Sequence, residues 1–254
     1  MRHRWVSDIA DFAKYGILRR LVGDDLRLGI VWYLTAGDGN ENPLTKYLHE
    51  PAPNKVAACD EELCSRLKQI MGIATDKRRV NDVLKSGVFA ARTASFVDEL
   101  KWSESAARLT REKQRRRWLG RALIVTAECD VVFFDPDTGI AGTRIRPNQK
   151  KATKYTFLHE ISEFVAREQT VVTVQFGKPG GLEKGPLLAT QRLGELTEAL
   201  GNTCAPPIGL WWSRGHNVGM LIAPAKKHSN LVRRRALALL NDPRWKPFLT
   251  ELET

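Results

Sequence analysis

The sequence is poor in the residues that build disulfide frameworks and zinc sites. It has four cysteines among 254 residues, and only Cys59 and Cys64 are near each other. Neither a C-x-x-C pair nor a Cys/His zinc spacing occurs, and the five histidines form no metal-binding pattern. We therefore expect buried, reduced cysteines that behave as small apolar residues, which fits a reducing cytosol.

Long apolar runs are also absent. No stretch approaches the roughly 18 consecutive apolar residues that a membrane helix needs. The first residues, Met1–Trp5, are rich in basic side chains and lead into Asp8 and Asp11, so the apolar core of a signal peptide is missing. These absences predict a cytoplasmic protein without a membrane segment.

Basic residues are in clear excess. Forty Lys and Arg face 29 Asp and Glu, which gives a net charge of +11 and an isoelectric point near 9.7. Such an excess attracts polyanions and raises their local concentration. The composition favours nucleic acid or a phosphorylated ligand as the partner, with DNA and RNA both open. The alternative is a basic surface without a partner.

Three dense apolar segments predict strands that are buried on both faces. They are Leu28–Leu34, Val131–Phe134 and Thr170–Phe176, and buried parallel strands have this continuous apolar character because helices cover both sides. Helical patterns lie between them, as in Asp60–Gly72. The alternation predicts an α/β fold with a doubly wound, mostly parallel sheet.

The C-terminal part predicts a change to antiparallel pairing. Ile208–Trp212 and Val218–Ala223 flank a five-residue loop with a central glycine, which is typical of a β-hairpin. Two further strands are expected between residues 50 and 100, with Val56–Cys59 and Val88–Ala91 as candidates. No linker or internal repeat is evident, so we expect residues 1–254 to form a single domain.

The first candidate site follows the first predicted strand. Thr35, Gly37, Asp38 and Gly39 begin a loop whose glycines allow a tight turn and a close approach to a ligand. Ligands of open α/β sheets bind beyond the carboxyl ends of the strands. Asp38, with Asn40 and Glu41 behind it, could bind hydroxyls, an amino group or a metal. A plain turn is the alternative.

The second candidate site is the segment Asp135-Pro136-Asp137-Thr138-Gly139. An acidic side chain at the end of a buried strand is costly unless it serves a purpose. Asp135 and Asp137 could bind a divalent ion together, or Asp135 could accept a hydrogen bond from a substrate amine. A turn that only connects strand and helix is the alternative.

Two further sets of residues carry charge that a site could use. Asp11 and Lys14 are i,i+3 neighbours in a predicted helix, Asp8–Val22, and could simply pair on its surface. A basic cluster follows the Asp135 segment and is predicted to bind the phosphate backbone. Its members are Arg144, Arg146, Lys150, Lys151 and Lys154. Gln175 and Lys178, near the end of the third predicted strand, could face the same pocket.

Several of these stretches resemble a poorly characterised group of bacterial and phage proteins. The group has a D-F-x-K-Y-G-x-L-R start and a D-P-D-x-G motif, which match DFAKYGILR at 11–19 and DPDTG at 135–139. The matches extend over most of the chain, with GIVWYL at 29–34 and KYTFLHEI at 154–161 between and after them. This resemblance implies a shared fold without naming a function.

More distantly, the layout resembles the class I ribosomal-RNA adenine-N6 methyltransferases. Their N-terminal G-N-x-x-D-x-x-K-H matches at Asp11 and Lys14, and Asp135-Pro136 matches the start of their D-P-P-Y motif. Asp137 and Thr138 stand in place of the second proline and the aromatic residue, which would stack on a flipped base. A parallel sheet with an appended antiparallel hairpin is also typical of class I methyltransferases.

The resemblance implies an S-adenosylmethionine-dependent methyltransferase, or a relative, that acts on nucleic acid. Asp11, Lys14 and the loop of Thr35, Gly37, Asp38 and Gly39 would hold the cofactor, and Asp135 would orient the nucleophilic amine. The first alternative is a Mg²⁺-dependent nuclease or phosphotransferase with Asp135 and Asp137 as metal ligands. The second is a non-catalytic nucleic-acid-binding module.

Overall fold

The computed structural model describes residues 2–35, 43–51, 53–102, 106–177 and 184–253. Nine strands are assigned within these ranges: β1 Leu28–Trp32, β2 Ala94–Phe96, β3 Val131–Asp135, β4 Gly139–Ile140, β5 Tyr155–Thr156, β6 Thr170–Phe176, β7 Ile208–Trp212, β8 Val218–Ala223 and β9 Leu249–Glu251. Seven α-helices accompany them: α1 Ile9–Val22, α2 Glu61–Met71, α3 Asn81–Lys85, α4 Arg108–Val125, α5 Leu158–Val165, α6 Lys184–Leu200 and α7 Ser229–Asn241.

One seven-stranded sheet has the order β2-β1-β3-β6-β8-β7-β9. The pairs β1–β2, β1–β3 and β3–β6 are parallel, which confirms that the three apolar segments are parallel neighbours. The pairs β6–β8, β8–β7 and β7–β9 are antiparallel, so the predicted hairpin joins the sheet through its second strand. Only β8 and β9 therefore run against the other five strands. The chain forms a mixed α/β fold around a mostly parallel sheet.

Helices pack on both faces of this sheet. Val131 and Phe133 belong to one buried cluster, together with side chains of α1, α2 and α7. Val132 and Phe134 point the opposite way, into a second cluster with α4, α5 and α6. Since neighbouring residues of a strand alternate between faces, both sets must be apolar. This two-sided burial explains the continuous apolar runs in the sequence.

Aspartate side chains cap the first turns of two helices. Asp8 precedes α1 and accepts a hydrogen bond from the Ala10 amide, 2.8 Å away. Asp60 caps α2 through the Leu63 amide at 2.9 Å, and Gly72 follows its last residue. Such caps satisfy amides that have no partner inside the helix. α4 begins at Arg108, and no side chain caps it among the described residues.

The expectation of two strands between residues 50 and 100 was wrong. The described part of this region contains one strand, β2, and neither predicted segment forms it. Ala57–Cys59 is a 3-10 turn, because the side-chain oxygen of Asn54 accepts from the amides of Val56 and Ala57 and turns the chain. Val88–Ala91 lacks strand structure, although its valine is buried in the core.

The described helices include none that is both long enough and apolar enough to cross a lipid bilayer.

Candidate active site

Asp135 occupies the last position of β3, at the carboxyl edge of the sheet. It lies beside Trp32, the last residue of β1, in the parallel register of these two strands. The carboxyl ends of β1, β3 and β6 therefore share one edge, where open α/β sheets bind their ligands. The side chain of Asp135 is only 1% exposed, as the sequence predicts for an acidic residue at the end of a buried strand.

Lys14 connects Asp135 to the N-terminal helix. Its Nζ lies 2.9 Å from Oδ1 of Asp135 and 2.6 Å from Oδ1 of Asp11. All three side chains are at most 3% exposed, so the alternative of a surface pair between Asp11 and Lys14 is wrong. Charges buried this deeply are tolerated only when they are paired and hydrogen-bonded. We call Asp11, Lys14 and Asp135 the acidic–lysine cluster.

The start of α1 is anchored so that this cluster is held in place. Oδ2 of Asp11 accepts a hydrogen bond from the Ser7 amide at 3.2 Å, and Ser7 adopts φ = 77°. Asp8 also accepts from the Leu44 amide at 2.6 Å and contacts Nδ1 of His216 at 2.9 Å. The hydrogen bond that His216 donates to Asp8 raises the pKa of His216. The β7–β8 hairpin thus holds the helix that carries Lys14.

Burial sets the protonation of the cluster. It raises the pKa of Asp11 to about 7, because desolvation and the nearby Asp135 outweigh the favourable charge of Lys14. Burial by itself lowers the pKa of Lys14, but Asp11 and Asp135 overcome this effect and raise it above its ordinary value. At neutral pH, Lys14 is therefore charged and Asp11 holds a proton for part of the time.

The pKa of Asp11 predicts a decrease of stability toward neutral pH. Its value is raised from 3.8 to about 7, so the native state binds more protons than the unfolded state within this window. Stability then falls as the pH rises, with a slope of at most about 1.4 kcal/mol per pH unit. Urea unfolding at a series of pH values measures the slope. Asp11→Asn should make this slope smaller, whereas Asp24→Asn, at an exposed position, should leave it unchanged. If Asp11→Asn and the wild type have the same pH dependence, the raised pKa of Asp11 is refuted.

The cofactor loop predicted after β1 is described only at its first residue. Thr35 follows the strand, and its Oγ1 is buried without a hydrogen-bond partner among the described residues. A buried hydroxyl that lacks a partner costs free energy, so a ligand that binds it would gain affinity. Gly37, Asp38 and Gly39, with Asn40 and Glu41, lie outside the described residues, as does Lys178. The predicted proximity of Asp38 to Asp135 stays a prediction.

Asp135 and Asp137 both lie close to cationic side chains. Oδ2 of Asp137 lies 3.4 Å from Nη2 of Arg2 and 3.7 Å from Nζ of Lys154, whereas Asp135 contacts Lys14. Cations this close compete with a divalent ion for the carboxylate oxygens. Within the described ranges, no group of three or more His, Cys, Asp and Glu has a metal-binding arrangement.

Gln175 holds the segment that follows β3. Its Oε1 accepts a hydrogen bond from the Ile140 amide at 3.0 Å. Gly139 adopts φ = 131°, and a Cβ at this position would come within 2.5 Å of the same oxygen. The glycine of the D-P-D-T-G segment is therefore needed for both its backbone conformation and this close approach. Gln175 therefore supports the loop, whereas the sequence predicted it only as a residue that faces the pocket.

The predicted basic cluster divides into two parts. Lys154 lies beside Asp137, at the end of the loop that returns to the sheet. Arg144 and Arg146 instead line a cavity of about 450 Å³ together with Arg108 of α4. Lys150 and Lys151 are exposed between these two places. The structure thus brings only one of the five predicted residues next to the acidic segment.

The sequence analysis did not predict a buried ion pair that joins two helices, α4 and α5. Arg115 of α4 forms two hydrogen bonds with Glu160 of α5, at 2.5 and 2.8 Å, and the side chains are 3% and 1% exposed. Tyr33 also donates to Glu160 at 3.2 Å. Three consecutive arginines, such as Arg115–Arg117, are usually typical of a solvated surface. Helical spacing was the missed signal, because Arg115 shares a face with the buried Arg111, Trp118 and Ala122.

Comparisons with known proteins add little to this geometry. No protein-family model matches the chain, and no curated protein matches it significantly. Among solved structures, the chain is similar to protein LPL1258 from Legionella pneumophila str. Philadelphia 1, described under family model DUF519. The sequences are 12% identical, the TM-score is 0.46, and the match covers 96% of each chain. A similarity of this size carries no information on function.

Proposed function

We propose that this protein is an S-adenosylmethionine-dependent methyltransferase, or a close relative of one, that acts on nucleic acid. The observation that carries the proposal is the acidic–lysine cluster at the carboxyl edge of the sheet. It joins the D-x-x-K of α1 to the Asp-Pro after β3, the two stretches on which the resemblance to adenine-N6 methyltransferases depends. Residues 121 positions apart are thus in direct contact where a ligand would bind.

Two further features support the methyltransferase-like class. The antiparallel hairpin extends the parallel part of the sheet through β8, which lies directly against β6, and this arrangement is typical of class I methyltransferases. Ser7 occupies the glycine position of the G-N-x-x-D-x-x-K-H pattern and adopts φ = 77°. Glycine tolerates such a backbone conformation without strain, so the local geometry agrees with the pattern.

The residues present fit S-adenosylmethionine, which would supply an electrophilic methyl group on a positively charged sulfur. Asp11 and Lys14 of the acidic–lysine cluster lie at the edge of the sheet where this cofactor would bind, and they would help to position it. The hydroxyl of Thr35 lacks a partner among the described residues and is available to a polar group of the cofactor. Asp38 and the glycines beside it are proposed to complete this subsite.

In this proposal, Asp135 binds the amino group of the target base. Lys14 fixes Oδ1 of Asp135 from one side, so the carboxylate is held in one orientation. A carboxylate that accepts a hydrogen bond from the amine directs the nitrogen lone pair and can receive its proton. Trp32 ends the neighbouring strand and Tyr33 follows it, and the side chains of both are fully buried.

The proposal is tested by calorimetric titration with S-adenosylmethionine and, separately, with Mg²⁺. We expect saturable binding of S-adenosylmethionine and transfer of its labelled methyl group to RNA or DNA. Thr35→Val should weaken cofactor binding about tenfold, the effect of one lost hydrogen bond in a buried site. Thr173→Val is the matched control, because Thr173 on β6 is also a buried hydroxyl without a described partner.

Three outcomes would decide against the proposal or redirect it. Absence of S-adenosylmethionine binding to the wild type overturns it. Binding of Mg²⁺ that both Asp135→Asn and Asp137→Asn abolish would establish the nuclease alternative instead. Nucleic-acid binding without either ligand would establish the non-catalytic binding module.

A further inference from the structure

The loop between β4 and β5 leaves the candidate active site and returns to it. Gly139 and Ile140 pair with Tyr155 and Thr156 in a small parallel sheet. The Thr138 amide donates to the Lys154 carbonyl at 3.0 Å, which closes the base of the loop beside Asp137. Residues 141–153 therefore extend away from Asp135, and we call them the basic loop.

Side chains of α4 hold the basic loop through its main-chain carbonyl groups. Arg111 Nε donates to the carbonyl of Asn148 at 2.6 Å, and Arg115 Nη1 donates to that of Ala152 at 2.9 Å. Trp102 Nε1 adds a hydrogen bond to the carbonyl of Lys150 at 2.9 Å. Arg111 is 9% exposed and Arg115 3%. Donors this deeply buried give an irregular loop a defined shape before any ligand binds.

The basic loop lines a cavity whose described side chains include basic residues but no acidic residue. Its volume is about 450 Å³, and Arg108, Arg144 and Arg146 line it together with Thr143, Asn148 and Gln149. Within the described part of the chain, none of the three arginines forms an ion pair, whereas many other arginines of the protein do. Guanidinium groups recognise phosphate oxygens through paired hydrogen bonds.

We propose that this arginine cavity binds a backbone phosphate of the nucleic acid at a distance from the target nucleotide. The inference rests on the proposed function for the identity of the substrate. Lys150 and Lys151 are exposed on the same loop, and Lys154 lies at its base near Asp137. Basic groups thus lead from the cavity to the candidate active site. A track of this kind fits a polymer with repeated phosphates, since one isolated phosphate would contact only one end of it.

Anisotropy titrations with labelled single strands of about 20 nucleotides, RNA and DNA of one sequence, test the proposal. The double variant Arg144→Ala/Arg146→Ala removes two exposed charges. If each arginine neutralises one phosphate, the slope of log affinity against log salt should fall by about 1.4, and affinity in about 0.1 M salt by about 25-fold. Arg108→Ala should give about half of that slope change and a fivefold loss. The polymer with the larger effect identifies the substrate.

Lys226→Ala/Lys227→Ala is the control with the same loss of charge. Both lysines are exposed and follow β8 near His228, which contacts Asp130 just before β3. They therefore lie at the opposite edge of the sheet from the candidate active site. We expect this variant to keep the wild-type salt slope. Equal slopes for both double variants, whether reduced or unchanged, would overturn the arginine cavity.

Methyl-transfer assays separate failure of this inference from failure of the proposed function. If Arg144→Ala/Arg146→Ala transfers methyl groups to a long strand at the wild-type rate, the proposed phosphate binding in the arginine cavity is overturned. The proposed methyltransferase function then stands. Loss of strand binding in this variant alone, with no methyl transfer even by the wild type, would support the cavity and overturn the methyltransferase. A trinucleotide that reaches only the active site should bind the variant and the wild type equally; a variant-specific loss there would contradict a remote phosphate subsite.

Discussion

Asp135→Asn is expected to reduce methyl transfer by a factor of about 10² to 10³, the range for loss of one catalytic acid–base or charge-stabilising group. Asparagine has nearly the same shape, but its amide can no longer receive a proton from the substrate amine. The lysine of the acidic–lysine cluster retains Asp11 at 2.6 Å as a partner. Cofactor affinity should therefore change little, and single-turnover transfer with a titration of S-adenosylmethionine measures both quantities.

Asp137→Asn is the matched control for this prediction. Asp137 lies two positions further along the chain and contacts Arg2 and Lys154. It should retain most of the methyl transfer, because its contacts organise the surface of the site. A methyl-transfer rate that is equal for Asp135→Asn and wild type would remove Asp135 from the reaction. Equal and severe losses in both variants would point to a joint role of the two carboxylates.

Among the substitutions proposed for this protein, Arg115→Met is expected to lower the free energy of unfolding the most. Removing the guanidinium leaves the carboxylate of Glu160 buried without its ion-pair partner, and such changes cost about 3–5 kcal/mol of unfolding free energy. For a chain of this size, the melting temperature should fall by roughly 6–20 °C. Arg115 also donates to the carbonyls of Ala152 and Tyr155, so one of the three side-chain supports of the basic loop is lost as well.

Two further variants make this stability prediction specific. Arg121 pairs with Asp98 on the surface at 2.8 Å, with side chains 53% and 47% exposed; Arg121→Met should therefore cost less than about 1 kcal/mol. Combining Arg115→Met with Glu160→Leu should recover part of the loss, because no unpaired charge then stays buried. Thermal unfolding followed by circular dichroism measures all four proteins. Similar melting temperatures for Arg115→Met and Arg121→Met would contradict the assignment.

Local sequence patterns predicted the central strands and the hairpin well. The segment Thr170–Phe176 and both hairpin strands have the predicted limits, and the first two strands differ by only one or two residues. These elements are long and apolar, so burial dominates their conformation and the pattern is easy to recognise. β2 has only three residues, Ala94–Phe96, two of them half-buried. Its position depends on the neighbouring β1 more than on its own composition.

The sequence by itself determined the fold class and the edge at which Asp135 lies. Apolar runs separated by helical patterns can be buried only in a parallel sheet covered on both faces, and an acidic residue at the end of such a run must lie at the sheet's carboxyl edge. These conclusions follow from local sequence periodicity, which requires no knowledge of distant contacts. The polyanionic partner expected from the charge excess stays a prediction.

Only the tertiary structure decided which charged residues work together. Asp11, Lys14 and Asp135 meet across 121 positions of sequence, and Arg115 turns inward to Glu160 while its neighbours Arg116 and Arg117 are exposed. From the sequence alone, these side chains would be interpreted as ion pairs on the surface or as solvated runs of charge. The physical reason is that the energy of a charge depends on its distance to partners and to water. Both distances are set by how helices pack on the sheet.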